Sequence, residues 1–280
     1  MNDCMKDRTV LFMGDSISDD GRFIALADLA LRLSGGGVRI VNAGVSSETV
    51  SGLSEPDHPF PRPCALGRID RALDAASPDW VVALYGINDG IYHPYSEERA
   101  RAYMDGMGEL VRRIHAHGAR VALLTPTVFE GRGVPPGAGS FSYMTPYERY
   151  SDVMDRYADL IRGFKDAERV IDIHEPLRLA QQEGPVTQDG IHPTLRGHMV
   201  MARQLLRELF GLTDAEIDAA WAEERLVNAA LACGAGEHAR WKELIGHDNP
   251  NKSVPPDEAE LARLRDEYAA ALAECGRTSS

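Results

Sequence analysis

Five short apolar, β-favouring runs, each followed by a stretch with helical periodicity, constrain this chain more than any other feature. The runs cover 9–13, 38–42, 80–85, 120–125 and 170–173. They are too evenly apolar to keep one wet face, so each reads as a strand covered on both sides. Between Ser96, a capping residue, and Gly118, a stop, the residues Ala100, Tyr103, Met104, Met107, Leu110, Val111 and Ile114 make one helical stripe. A second stripe runs through Tyr150, Val153, Met154, Tyr157, Leu160, Ile161 and Phe164, and further helices are expected over 20–33 and 193–210. Such alternation builds a five-stranded parallel sheet with helices on both faces. Ligands of open parallel sheets lie beyond the carboxyl ends of the strands, which directs attention to the residues just after each run.

After Leu212 the strand signals cease and helix formers dominate, with Thr213 a plausible cap and a helix expected over 256–274. We therefore divide the 280 residues into a main domain, 1–212, and a C-terminal helical extension, 213–280, with 246–256 as a flexible linker. Acidic residues well outnumber basic ones in the extension, which reads as a solvated face. The net charge of −13 disfavours nucleic acid and anionic membranes as partners. No apolar run exceeds six residues, far short of a spanning helix, and no signal-peptide core follows Lys6 and Arg8. The expectation is a cytoplasmic protein, or a secreted one if a leader was removed. Cys4, Cys64, Cys233 and Cys275 are widely spaced and read as reduced structural thiols. Nothing fixes the oligomeric state.

Four segments follow strand runs: Gly14-Asp15-Ser16, Asn42-Ala43-Gly44, Gly86-Ile87-Asn88-Asp89 and Asp189-Gly190-Ile191-His192-Pro193. Alone, Ser16 reads first as a helix cap. A serine nucleophile needs a base that is itself oriented by a third group, and Asp189 and His192 supply that pair within one turn. Gly190 lets the turn bend, and Pro193 suits the first position of the next helix. By itself an Asp-x-x-His is also an ordinary surface turn. An oxyanion hole is available from the N–H of Ser16, the N–H of Gly44 and the Asn88 carboxamide. Yet Gly44 would also relieve a turn, and Asn88-Asp89-Gly90 is ordinary turn chemistry. Asp15 and Asp89 read as loop-holding groups.

In order and spacing, these four blocks resemble the SGNH hydrolases, also called GDSL esterases and lipases, over roughly residues 8 to 210. The resemblance implies a three-layer flavodoxin-like fold, a Ser16–His192–Asp189 triad and an oxyanion hole from Ser16, Gly44 and Asn88. Ile17 stands where many members carry Leu, a conservative departure. The extension lies outside the resemblance.

Rival chemistry is thin: there is no phosphate-binding glycine loop, dinucleotide fingerprint, Gly-x-Ser-x-Gly elbow or His-Glu-x-x-His. His192 and His198 are six apart, wrong for a helical metal pair, so no metal or cofactor is expected. The other histidines read as surface or structural groups, with His93 the one to watch. The expected activity is a serine esterase that removes short acyl groups, acetyl first, from a small polar or carbohydrate-like ester. The alternative is a non-catalytic flavodoxin-like ligand-binding module. Tyr92, His93, Tyr95, Phe141 and Tyr143 would form the substrate rim, and the Gly- and Pro-rich stretch 129–147 offers no apolar lid.

Overall fold

The computed structural model describes residues 2, 5–131 and 140–278. The loop glycines and prolines expected at 133–137, with Gly139, and Cys4 lie outside the described residues. Five strands, β1 (Thr9–Gly14), β2 (Arg39–Asn42), β3 (Trp80–Leu84), β4 (Arg120–Leu124) and β5 (Arg169–Ile171), form one parallel sheet ordered β2-β1-β3-β4-β5. Its middle strands are buried along nearly their whole length, as their continuous apolar runs require. The chain winds from β1 outward to β2 and then returns across β1 to β3. The order therefore reverses at β1, and a crevice opens between the carboxyl ends of β1 and β3.

The helix expected at 20–33 is α2 (Arg22–Leu33); a short α1 (Ser16–Asp20), not read from the sequence, precedes it, and Gly21 at φ 75° separates the two. A residue in that left-handed conformation ends one helix and lets the chain restart in a new direction. After α3 (Ile69–Ala76), α4 (Glu97–Ala116) follows its stripe: the Ser96 hydroxyl accepts from the Arg99 N–H at 3.4 Å, and Tyr103, Met107, Leu110, Val111 and Ile114 are buried. Each such side chain contributes about 1.5–3 kcal/mol of apolar burial. Next come α5 (Tyr150–Arg162), α6 (His174–Ala180) and α7 (Leu195–Leu205). α7 starts two residues beyond Pro193, because Thr194 takes the capping position and accepts from the Gly197 N–H. It ends at 205, followed by one wider turn over Leu206–Phe210.

The extension comprises α8 (Asp214–Ala220), α9 (Glu224–Ile245) and α10 (Glu258–Thr278). Thr213 caps α8 in a reciprocal box with Glu216. α9 lies against α2 and the edge strand β2, with α10 beside it. Trp221 donates its indole N–H to the Leu26 carbonyl at 3.1 Å. The segment 246–256 has no regular structure, yet it is not a free linker: Asn249 is 2% exposed and held against the main domain. Among the described residues no helix is long and apolar enough to cross a membrane.

Candidate active site

Ser16 is the first residue of α1, directly past the carboxyl end of β1. Asp15 caps that helix, its Oδ1 accepting from the Ile17 N–H at 3.0 Å. Burial is complete there, and with Asp89 and Glu48 nearby it pushes the Asp15 carboxyl up to about 8 against the pull of the Ile17 N–H. The turn from 187 to 193 is closed by the Gln188 N–H on the His192 carbonyl at 2.9 Å and by an antiparallel bridge of Thr187 with Pro193. Within it Asp189 Oδ1 accepts from the N–H groups of Ile191 (2.9 Å) and His192 (2.7 Å), which aims Oδ2 at His192 Nδ1, 2.6 Å away. His192 Nε2 then sits 2.9 Å from Ser16 Oγ. Burial would raise the Asp189 carboxyl, but these bonds from His192 and Ile191 hold it below the ordinary range, so it is an anion facing the imidazole. Residues separated by 176 positions thus form one hydrogen-bonded line, Ser16–His192–Asp189.

The turn rests on Glu130, whose Oε2 accepts from the N–H groups of Val186 (3.0 Å) and Thr187 (2.6 Å) and the Thr187 hydroxyl (2.6 Å). The Glu130 N–H in turn reaches the Gly190 carbonyl at 2.8 Å. Read in sequence, Glu130 is only a polar loop residue.

Asn88 lies past β3 and is 3% exposed. Its Nδ2 donates to the Glu48 carbonyl at 3.1 Å and its Oδ1 accepts from the Tyr92 hydroxyl at 3.0 Å. That fixes the amide orientation and leaves a second N–H without an acceptor among the described residues. The expected donor at Gly44 is corrected by the structure. The Gly44 N–H is bonded to Asn42 Oδ1 at 2.9 Å, and its Cα is so close to Ser18 and Asp19 that a Cβ would meet backbone atoms at 2.4 Å. Gly44 is there for packing. Further along, Val45 N–H goes to the Gly14 carbonyl, Ser46 N–H to Asp19 Oδ2 and Glu48 N–H to the Val45 carbonyl. Of this segment only the Ser47 N–H has no acceptor among the described residues, and Ser47 holds a left-handed backbone, φ 65°. Such a conformation is costly for a residue with a Cβ and needs support. Arg62 supplies some, donating to the Ser47 carbonyl at 3.2 Å while paired bidentately with buried Glu55 at 2.6 Å.

Beneath the crevice Glu48 is held by Arg68 (2.6 and 2.7 Å) and by the Tyr85 hydroxyl (2.7 Å). Asp89 Oδ1 accepts from the N–H groups of Val50 and Ser51, so Asp15 and Asp89 do hold loops as read from sequence.

The expected aromatic rim is partly wrong. Tyr92 is 1% exposed, stacked on Tyr150 at 4.9 Å, and spends its hydroxyl on Asn88, so it orients the amide and does not face solvent. Tyr95 is half-buried, edge-on to Tyr157, with the Arg156 guanidinium 4.3 Å from its ring centre. His93 meets Phe141 edge-to-face at 5.5 Å, and exposed Tyr143 lies 5.5 Å from His58. Among the described residues no group of three His, Cys, Asp or Glu side chains converges as metal ligands would.

Comparison with known proteins agrees with this architecture. Among curated proteins the chain is similar to an acetylxylan esterase from Geobacillus stearothermophilus, 28% identical over 225 residues, 71% of this chain and 93% of that one. A catalytic mutant of Axe2, an acetylxylan esterase of the same organism, has a solved structure that matches with TM-score 0.55 at 25% identity, covering 74% of this chain and 96% of that one. A GDSL-like lipase from Bacteroides thetaiotaomicron, at 18% identity, shares the fold with TM-score 0.51 over 72% of this chain and 87% of its own. Residues 12–200, a span that holds Ser16, Asn88, Asp189 and His192, match the model of the GDSL-like Lipase/Acylhydrolase family, and the chain belongs to that family as a carboxylic ester hydrolase.

Proposed function

We propose that Ser16 is the nucleophile of an esterase for short acyl groups, acetyl first, on a polar acceptor such as a sugar. The observation that carries the reading is the line from Ser16 Oγ through His192 to Asp189, at 2.9 and 2.6 Å. Ser16 Oγ attacks the ester carbonyl while His192 Nε2 takes its proton, and Asp189 holds the imidazolium that forms. The carbonyl oxygen, now negative, is met by N–H groups already in place: Asn88 Nδ2, Ser16 and, in place of Gly44, Ser47. His192 returns the proton to the leaving alcohol, and water then releases the acid from Ser16 by the same steps in reverse roles.

Support for the acetyl preference is the likeness to acetylxylan esterases. The aromatic groups with polar tips or neighbours, Tyr143, His58, His93 and Phe141, suit a polar acceptor better than a lipid chain. A series of p-nitrophenyl esters tests the substrate class: kcat/KM should peak at two to four carbons, and a maximum at eight or more would refute it. Ser16→Ala should remove turnover and labelling by a fluorophosphonate while the fold persists, since one hydroxyl in an open crevice is lost. Retained labelling would mean another nucleophile.

A further inference from the structure

The extension, outside the residues matched by the family, reaches the main domain at the segment that carries Ser47. Asn249 Nδ2 donates to the Ser46 carbonyl at 2.7 Å, and its own Oδ1 is fixed by the Asn251 N–H at 2.8 Å. Asp19, three residues past Ser16 on α1, accepts the Ser46 N–H at 3.2 Å and the Ser46 hydroxyl on Oδ2. Its other oxygen takes His238 Nε2 and Lys242 Nζ, both from α9 and both at 2.7 Å. His238 Nδ1 lies 3.0 Å from the Asn42 carbonyl. The Asp19 carboxyl, though burial would raise it, is held far below the ordinary range by His238, Lys242 and Ser46, so an anion stands between α9 and the 46–47 segment.

The consequence lies in one peptide group. The Ser46 carbonyl and the Ser47 N–H belong to the same planar trans unit and point in opposite directions. A hand on the carbonyl therefore sets where the N–H aims. We infer that Asn249, together with His238 and Lys242 acting through Asp19, are positioning residues for ester hydrolysis: the C-terminal extension turns the 46–47 peptide so that its N–H faces the oxyanion. The inference rests on the reading of Ser47 as a backbone donor. It makes the extension a working part of the site, and it explains how a serine is kept at φ 65° where a glycine would sit without strain.

The test uses the full chain and p-nitrophenyl acetate, well below the unfolding midpoint. Asn249→Ala should lower kcat about ten- to a hundredfold with KM within twofold, because a donor used in the transition state is misaimed and not removed. Affinity for phenylboronic acid, which gives a tetrahedral adduct on a serine nucleophile, should fall in step with kcat. Lys242→Met should act in the same direction, and Lys242→Arg should restore most of the loss. Arg225→Ala, on the same helix and paired with exposed Glu274, should leave kcat unchanged. Should Asn249→Ala fail to fold, the Lys242→Met and Lys242→Arg pair carries the test. Folded variants of Asn249 and Lys242 with wild-type kcat would overturn the inference, while a dead Ser16→Ala beside them would leave the nucleophile reading intact. An active Ser16→Ala would instead bring down that reading.

Discussion

Replacing Asn88 with alanine separates two jobs of one side chain, and the structure gives a magnitude for each. The variant strips the Glu48 carbonyl of its donor and the Tyr92 hydroxyl of its acceptor, both buried. An unsatisfied buried polar group costs about 1–3 kcal/mol, so the fold should lose roughly 2–6 kcal/mol. Native stabilities of about 5–15 kcal/mol absorb such a loss, so the variant should fold with a lower urea midpoint. In the proposed mechanism the second Nδ2 hydrogen acts only when the oxyanion forms. Its loss should lower kcat by about 10² to 10³ at nearly constant KM, some 2.7–4 kcal/mol of transition-state stabilisation. Steady-state hydrolysis of p-nitrophenyl acetate beside urea titration reads both quantities. Tyr92→Phe is the control. It loosens the amide without removing the donor, so kcat should fall by less than about tenfold. Equal losses of kcat in the two variants, or a rise in KM at unchanged kcat for Asn88→Ala, would refute the donor role.

Asp15 keeps its proton up to about pH 8 in the fold but releases it near 3.8 when unfolded, so the native state binds more protons between these values and stability falls as pH rises through them. Asp15→Asn, which keeps an acceptor for the Ile17 N–H, should gain up to roughly 4 kcal/mol at pH 7 and flatten the dependence; parallel urea midpoints from pH 5 to 8 would contradict this. Glu130→Ala should lower kcat about tenfold or more by freeing the Asp189–His192 turn, with faster amide hydrogen exchange at Thr187 and His192, and protection equal to wild type would argue against it. Gly44→Ala should destabilise by about 1–3 kcal/mol or more through overpacking on Ser18 and Asp19, whereas Ser47→Gly should keep kcat because the N–H remains. A large kcat loss in folded Ser47→Gly would show that the serine side chain matters.

The hydrogen-bonded line Ser16–His192–Asp189 was largely legible because its parts are local. Asp189 and His192 meet within one turn that Gly190 permits, and Ser16 follows a strand whose apolar run announces it. The strands were legible for the same reason, since burial on both faces is written in consecutive residues. The short α1 was missed: the expected helix ran over 20–33 through Gly21, whose left-handed conformation ends α1 and restarts the chain as α2.

The donors proposed for the oxyanion were less readable. Gly44 looks like an open backbone position in sequence, but whether an N–H is free depends on what lies opposite it. Asn42, Gly14 and Asp19 consume the N–H groups of residues 44 to 46, and Asn249, 203 positions from Ser46, holds the carbonyl that aims the next one. Tyr92 failed as a rim residue for a related reason, since an aromatic after a strand end carries no mark of which way it faces. Sequence alone determined the five strands, their parallel arrangement and the main helical stripes, and it offered Ser16, His192 and Asp189 as candidates for nucleophile, base and orienting group, because propensity and apolar period belong to neighbouring residues. Tertiary structure alone decided which polar groups stay unpartnered at the crevice, because a hydrogen bond is spent or spared by groups that only folding brings near.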